Sequence, residues 1–217
     1  MSEGLPSIAE VIKNVMGATA SPLVLNTILA TLPVAKETAA GSLDVVSVQS
    51  VISHVEAGVK MFTRDGAQQH VAALRHGLTL NKVPRPAEAV IPVQSDDDVL
   101  TVQRKCQDMT RHFFRTSDGV RLATVASELA RNIYMYAKRG EMRLTVSQDS
   151  QGIRFDITAS DKGPGIPNVD LILSGKYVSR TGLGRGLFGT KVMLDSLDIQ
   201  SSAQTGTVIR GTKRARR

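Results

Sequence analysis

The chain has no tryptophan and a single cysteine, Cys106, among its 217 residues. One cysteine excludes an internal disulfide and a thiolate zinc cluster. The four histidines show no HExxH spacing, which removes the common zinc-hydrolase pattern. Long apolar runs are missing too: no window reaches the roughly 18 residues of a membrane span. No basic segment followed by an apolar stretch opens the chain as a secretory signal would. The expectation is a soluble, cytoplasmic protein without membrane association. Aromatic residues form only 4% of the composition, too few to interleave with basic side chains as base-stacking platforms. The formal net charge of +7 would otherwise invite nucleic acid, but five positive charges, Arg210, Lys213, Arg214, Arg216 and Arg217, fall in the last eight residues. That placement reads as a solvated basic tail on a nearly neutral body, not as a nucleic-acid surface.

What is present is enough apolar sequence for a sizeable core, 41% of residues, over a length that suits one large domain or two small ones. Up to about Leu80, apolar spacing predicts helices in "SIAEVIKNVMG", "PLVLNTILATL" and "LDVVSVQSVISHVEAGVKMF", broken at Pro22, Pro33 and Gly41. Ser7 and Ser42 suit N-cap positions. The proline-bearing "NKVPRPAEAVIPV" then reads as a linker entering a strand. The boundary falls near Arg85, dividing a helical region 1–85 from a second domain 86–217. Apolar helical faces this short need a mate, so residues 1–85 are expected to mediate a homodimer or sensing, against a cap folded on the second domain.

The second region changes period. "AEAVIPV" is a short strand, and "SDDDVLTVQRKCQDMTRHFF" is a helix whose acidic first turn suits the helix dipole. "SDGVRLATVASELARNIYMYAKRG" is a second helix, closed by Gly140. "MRLTVSQ" and "IRFDITAS" alternate around the turn "DSQG". A glycine-rich loop, a helix from about Arg185 to Ser196, and the strands "LDIQSSA" and "TVIRGTK" around "QTG" complete it. The fold class is α+β: helices on one face of a mixed, mostly antiparallel sheet, in two layers.

Four segments carry chemistry. On the second helix Glu128 and Asn132 stand four residues apart, on one face. The amide oxygen suits Mg²⁺, which is held by few protein groups plus phosphate oxygens, and a carboxylate one turn away can take a proton from a hydroxyl. In "SDKGPGIP", Asp161 stands where the chain leaves a strand and can accept from an exocyclic amine. Gly163 and Gly165 let the backbone approach a flat ligand. In "TGLGRGLFGTKVML", closely spaced glycines at a helix start expose N–H groups suited to phosphates. Gly184, Gly186 and Gly189 match a dinucleotide-binding pattern by letter only, since no buried strand leads in and no βαβ unit follows. The last segment, Gly206 and Thr207 between the final strands, would alone be a hairpin turn.

In this order "SELARNIYMYA", "SDKGPGIP" and "GLGRGLFGTKVMLDSLDI" resemble the Bergerat-fold ATPases of the GHKL superfamily. They look most like its small bacterial switch kinases and anti-sigma factors of the RsbT and RsbW type, over about Ala87 to Thr212. The resemblance implies ATP and Mg²⁺ as cofactors, with Asn132 as metal ligand and Glu128 as general base. It implies Asp161 on the adenine amino group, Gly163 and Gly165 along the base pocket, and Thr207 supporting the base. Residues from about Ile166 to Thr181 would form a lid. Gly182, Leu183, Gly184, Arg185 and Gly186 would form the phosphate loop, with Lys176, Arg180 and Lys191 as further basic groups near it. Arg185 and Phe188 depart from the family, which usually has an apolar residue and often a proline there. Arg131 in "ELARN" agrees with the switch-kinase branch and would pair with an acid or meet the protein substrate.

The activity so implied is that of a protein serine/threonine kinase acting on a STAS-domain antagonist in bacterial partner switching. The alternative is a nucleotide-tuned binding protein that regulates a phosphatase or sigma factor by docking. Gyrase-, MutL- and chaperone-type members would need a further domain beyond the last strand. A histidine-kinase-like role would fall to His54, which lacks the adjacent acid and later proline of that motif.

Overall fold

The computed structural model describes residues 5–17, 20–62, 67–79, 83–174 and 183–216, with the side chains of 62, 67–69 and 183–186 outside that description. The chain forms two compact units, Met1–Ala87 and Glu88–Arg217.

Among its described residues the first unit holds four helices: α1 (Ile8–Met16), α2 (Pro22–Ala30), α3 (Val45–Phe62) and α4 (Ala67–Thr79). Ser7 caps α1 with a complete capping box, its hydroxyl accepting from Glu10 N–H while the Glu10 carboxylate accepts from Ser7 N–H. Ser42 does not cap α3. Its hydroxyl donates to Ala39 O, and Asp44, directly before the helix, accepts from Ser47 N–H at 2.8 Å. Helix α4, unmarked by the sequence reading, completes the packing with Leu74 and Leu78 against Ile8, Val11, Ile12, Val51, Ile52 and Val55. A Cβ on Gly77 would lie 2.6 Å from Val11, and one on Gly58 equally near Ile28, so both glycines serve close helix crossings. The inward apolar faces of these helices share one core, while Leu5, Leu23 and Met61 stay exposed. The ring of His54 joins this unit through Nε2, 3.2 Å from Ile28 O and 3.1 Å from Thr31 Oγ1. The Thr31 hydroxyl donates to Thr27 O, so the Nε2 proton faces two acceptors and that nitrogen is occupied in structure.

The second unit contains β1 (Ala87–Val93), α5 (Asp96–Thr110), α6 (Thr116–Asn132), a π-helical turn (Ile133–Ala137), β2 (Gly140–Asp149), β3 (Gly152–Asp161), α7 (Val169–Leu173), α8 (Leu183–Met193), β4 (Ser196–Ser202) and β5 (Gly206–Arg214). The five strands lie in the order β1-β2-β3-β5-β4. Pairings β2/β3, β3/β5 and β4/β5 are antiparallel. Partners in register share a face. Met142, Ala159 and Ile209 therefore form one inward row, and Leu144, Ile157 and Gly211 the next. Helices α5, α6 and α8 lie over this apolar face, with Leu122, Val125, Ala126 and Leu129 of α6 buried. A Cβ on Gly211 would collide with Leu194, so the glycine admits the end of α8 against the sheet. Cys106 is buried in α5, and burial pushes its thiol up to about 12, leaving it unreactive.

Two sequence expectations change here. Gly140 does not close α6: the π-helical turn intervenes and Lys138, at φ 68°, takes the left-handed closing position. Gly140 opens β2 instead, where a Cβ would strike Ser160 O and the side chain of Ile133. The basic residues near the end are not all a solvated tail, because β5 runs through Arg214. Arg210 pairs with Asp198 at 3.6 Å, Lys213 with Asp195 at 2.7 Å and Arg214 with Asp149 at 2.8 Å.

The Arg214 guanidinium meets both oxygens of Asp149, at the β2–β3 hairpin, with distances of 3.0 and 2.8 Å. That bond, then the one from Gln151 N–H, brings the Asp149 carboxyl from 3.8 down to about 2. A folded value below the unfolded one means that the pair adds stability above the unfolded value and loses it as pH falls towards the folded one. Urea unfolding should therefore show the wild type losing stability between pH 3.8 and about 2 more steeply than Asp149→Asn. Identical acid limbs would show that this exposed pair contributes nothing measurable.

Candidate functional site

One end of the inward face of the sheet is polar. Asp161 ends β3, Thr207 lies opposite it on β5, and Ser201 lies opposite Thr207 on β4. The alternation that buries Phe155, Ile157 and Ala159 carries Asp161 inward as well, beyond the last apolar rung. Its Oδ1 accepts from Gly163 N–H at 2.8 Å, which turns the chain away from the sheet. Oδ2 has no hydrogen-bond partner among the described residues. Thr207 is only 4% exposed, and its hydroxyl lies 2.9 Å from that of Ser201, which also accepts from Ile166 N–H at 2.8 Å.

These groups close one side of a cavity of about 210 Å³. The opposite wall is the last turn of α6 and the π-helical turn, which present Leu129, Asn132, Ile133 and Tyr136. A π-helical turn widens the helix locally and is frequent at functional sites. Ala159 and Ile209 of the sheet, Pro164 to Pro167 of the loop, Ile172 of α7 and Leu187 of α8 complete the lining. A mostly apolar slot with a few converging polar groups is the form of a small-molecule site.

The structure thus brings Asn132, Asp161, Gly165 and Thr207 together at one cavity. Glu128 is half-buried one turn before Asn132 and outside the lining, without a hydrogen-bond or ion-pair partner among the described residues. Arg131 is exposed. Lys191 is exposed and donates from Nζ to Leu173 O at 3.3 Å, tying α8 to the end of α7. Helix α8 begins at Leu183 rather than near Arg185, so Gly184, Arg185 and Gly186 stand within its first turn, where backbone N–H groups lack intrahelical acceptors. Lys176, Arg180, Thr181 and Gly182 lie outside the described residues. Of the expected lid, the described part is the loop from Ile166, helix α7 and Ser174.

The glycines of "SDKGPGIP" have partners within the protein. A Cβ on Gly163 would lie 2.7 Å from that of Ala137, and one on Gly165, at φ +77°, would lie 2.6 Å from Ser202 C. Gly206, at φ +82°, allows the start of β5 to reach the carbonyl of Asp161. These close approaches join the loop, the π-helical turn and the β4–β5 hairpin around the cavity. Ser201 was missed because "IQSSA" carries no motif, though its register with Thr207 follows from the hairpin.

A family described as "Histidine kinase-, DNA gyrase B-, and HSP90-like ATPase" matches residues 117–216. The serine/threonine-protein kinase RsbT of Bacillus subtilis (strain 168) is 32% identical over 127 residues, covering 58% of this chain and 96% of that protein. The chain belongs to the GHKL family, in its RsbT/RsbW-type branch. The matched segment holds all the described cavity residues. The donor set also fits the nucleotide and metal that such a family implies. Asp161 Oδ2 has no partner among the described residues, the slot is mostly apolar, and Asn132 carries one neutral amide oxygen, while no three-residue metal cluster exists among the described residues. Mg²⁺ suits such a sparse protein contribution, since phosphate oxygens and water complete its shell.

The glycine positions give a paired test. Gly165→Ala should cost about 1–3 kcal/mol through left-handed strain and contact with Ser202. Gly189→Ala meets nothing within 4 Å among the described residues and should be neutral or stabilising by up to about 1 kcal/mol in helix α8. Urea denaturation of both variants checks this, and equal effects would contradict it.

Proposed function

We propose that this chain is an ATP- and Mg²⁺-dependent protein serine/threonine kinase whose substrate is a STAS-domain antagonist in a bacterial partner-switching pathway. The observation that carries the proposal is the convergence of Asp161 and Thr207 with Asn132, from opposite walls, on one cavity. Asp161 accepts from the amine of adenine through its free oxygen, and Leu129, Ile133 and Ile209 hold the faces of the base. Asn132 directs its amide oxygen to the metal. The first-turn N–H groups of α8 donate to phosphate oxygens, where the positive end of the helix favours negative charge. When bound, MgATP supplies the γ-phosphoryl group that a partner serine takes, with ADP leaving. Glu128 receives the proton of that hydroxyl.

The position of Glu128 outside the cavity lining favours one second reading. In it the nucleotide tunes docking to a phosphatase or sigma factor without transfer.

The chain, labelled ATP, Mg²⁺ and a STAS-domain partner should yield phosphoserine on the partner. Glu128→Gln should slow transfer by about 10²–10⁴-fold with nucleotide affinity retained. Asp161→Asn should weaken nucleotide binding by about tenfold or more, as expected for a lost charge-assisted hydrogen bond. Transfer unaffected by either change would overturn the assignment. Nucleotide-dependent partner binding with no transfer in the wild type would establish the second reading instead.

A further inference from the structure

The five-stranded sheet stops at β4, and the direction of its last unpaired groups follows from the register. Ala215 N–H donates to Ile153 O at 3.0 Å, and Thr212 O accepts from Asp195 N–H at 2.9 Å. Hydrogen-bonded and non-bonded pairs alternate along an antiparallel ladder. The odd-numbered residues of β5 therefore bond towards β3 and the even-numbered ones towards β4. On β4 that ladder uses Ser196, Asp198 and Gln200. The N–H and C=O groups of Leu197, Ile199 and Ser201 point to the open edge, without a partner among the described residues.

An open edge is a template for pairing unless proline, lysine or a bulge blunts it. The strand at the other end of the sheet, β1, carries Pro92 and Glu88, whereas β4 has neither proline nor lysine. The helices also stop short of β4. Across the inward rows Leu144, Ile157 and Gly211 are buried while Leu197 is half-buried, and Met142, Ala159 and Ile209 are buried while Ile199 is half-buried. The strand is, moreover, matched to itself. Laid antiparallel about Ile199, two copies set Ile199 against Ile199, Leu197 against Ser201 and Asp198 against Gln200. An apolar pair then occupies the centre, each carboxylate faces an amide, and no like charges are opposed. The three outward-facing residues exchange both of their backbone bonds with the second copy.

We propose that the β4 edge is a homodimer interface, in which a second copy of this chain adds its own β4 antiparallel about a two-fold axis at Ile199. The contact is isologous and closed, so association ends at two chains. It joins two sheets into one and covers the inward side chains of Leu197 and Ile199. This interface is separate from the nucleotide cavity and stands whether or not the kinase reading holds.

Sedimentation equilibrium on the full chain tests it. A single-strand edge lies at the small end of the range of specific interfaces, so the mass should rise from one chain to two between micromolar and millimolar concentration. Gln200→Asp opposes two carboxylates on each side of the axis and should weaken the dimer about tenfold or more. Gln200 is exposed, so its urea unfolding at low concentration should match that of the wild type. Combining Asp198→Gln with Gln200→Asp exchanges the two side chains, lets a carboxylate face an amide again and should return the wild-type dimerisation constant. A wild type that stays at one chain over the whole range overturns the proposal with no variant involved. A dimer that Gln200→Asp leaves unchanged, or that the exchange fails to restore, forms through another surface and overturns it as well.

Discussion

The inward face of β3 does not end in an apolar residue. Phe155, Ile157 and Ala159 are covered by helices, and the next residue of that parity is Asp161, a carboxylate brought to the rim of the core by the same two-residue period. Burying a carboxylate is costly unless it gains hydrogen bonds. Gly163 N–H supplies one, on Oδ1, and Oδ2 has no hydrogen-bond partner among the described residues. Strand register then places Thr207 and Ser201 beside it without further devices. The polar end of the cavity follows from sheet geometry.

Helix α6 supplies the opposing wall. Its stripe Leu129, Asn132, Ile133 and Tyr136 runs through the change from α to π geometry, so one amide lies among apolar side chains. The close approaches at Gly163 and Gly165 hold the intervening loop against both walls, at Ala137 and at Ser202. A loop held at both ends keeps the cavity formed, which reduces the ordering cost that a ligand would have to meet. The branch of α8 nearest the cavity presents Leu187, while Lys191 tethers α7 from outside.

Much of this was legible in the residues. Strict alternation placed β2 and β3, and Asp161 at the exit of β3 was evident from the glycines and prolines that follow. The i, i+4 spacing put Glu128 and Asn132 on one face, although only Asn132 lines the cavity. Elsewhere tertiary packing overrides local preference. A lysine in the left-handed region, Lys138, took the role expected of Gly140, because Gly140 was needed against Ser160 and Ile133. Arg210, Lys213 and Arg214 read as tail by charge alone, yet their aspartate partners lie on β4, after α8 and on the β2–β3 hairpin respectively, outside the basic segment itself. Ser42 lost the capping role to Asp44, whose side chain stands in the right place before α3. Ser201 had no local signal, since its importance comes entirely from which residues the hairpin places beside it.

The central claim is that the ends of β3 and α6 grip one purine nucleotide between them. Titrating the ¹⁵N-labelled full chain with MgATP and following backbone amides tests it most directly. Saturable shifts at Asn132 and Ile133 together with Asp161, Gly163, Ile166 and Thr207 are predicted, with residues on the outer sheet face such as Thr145 and Thr158 unmoved. A folded sample whose amides do not respond, or respond only away from these two segments, would contradict the account.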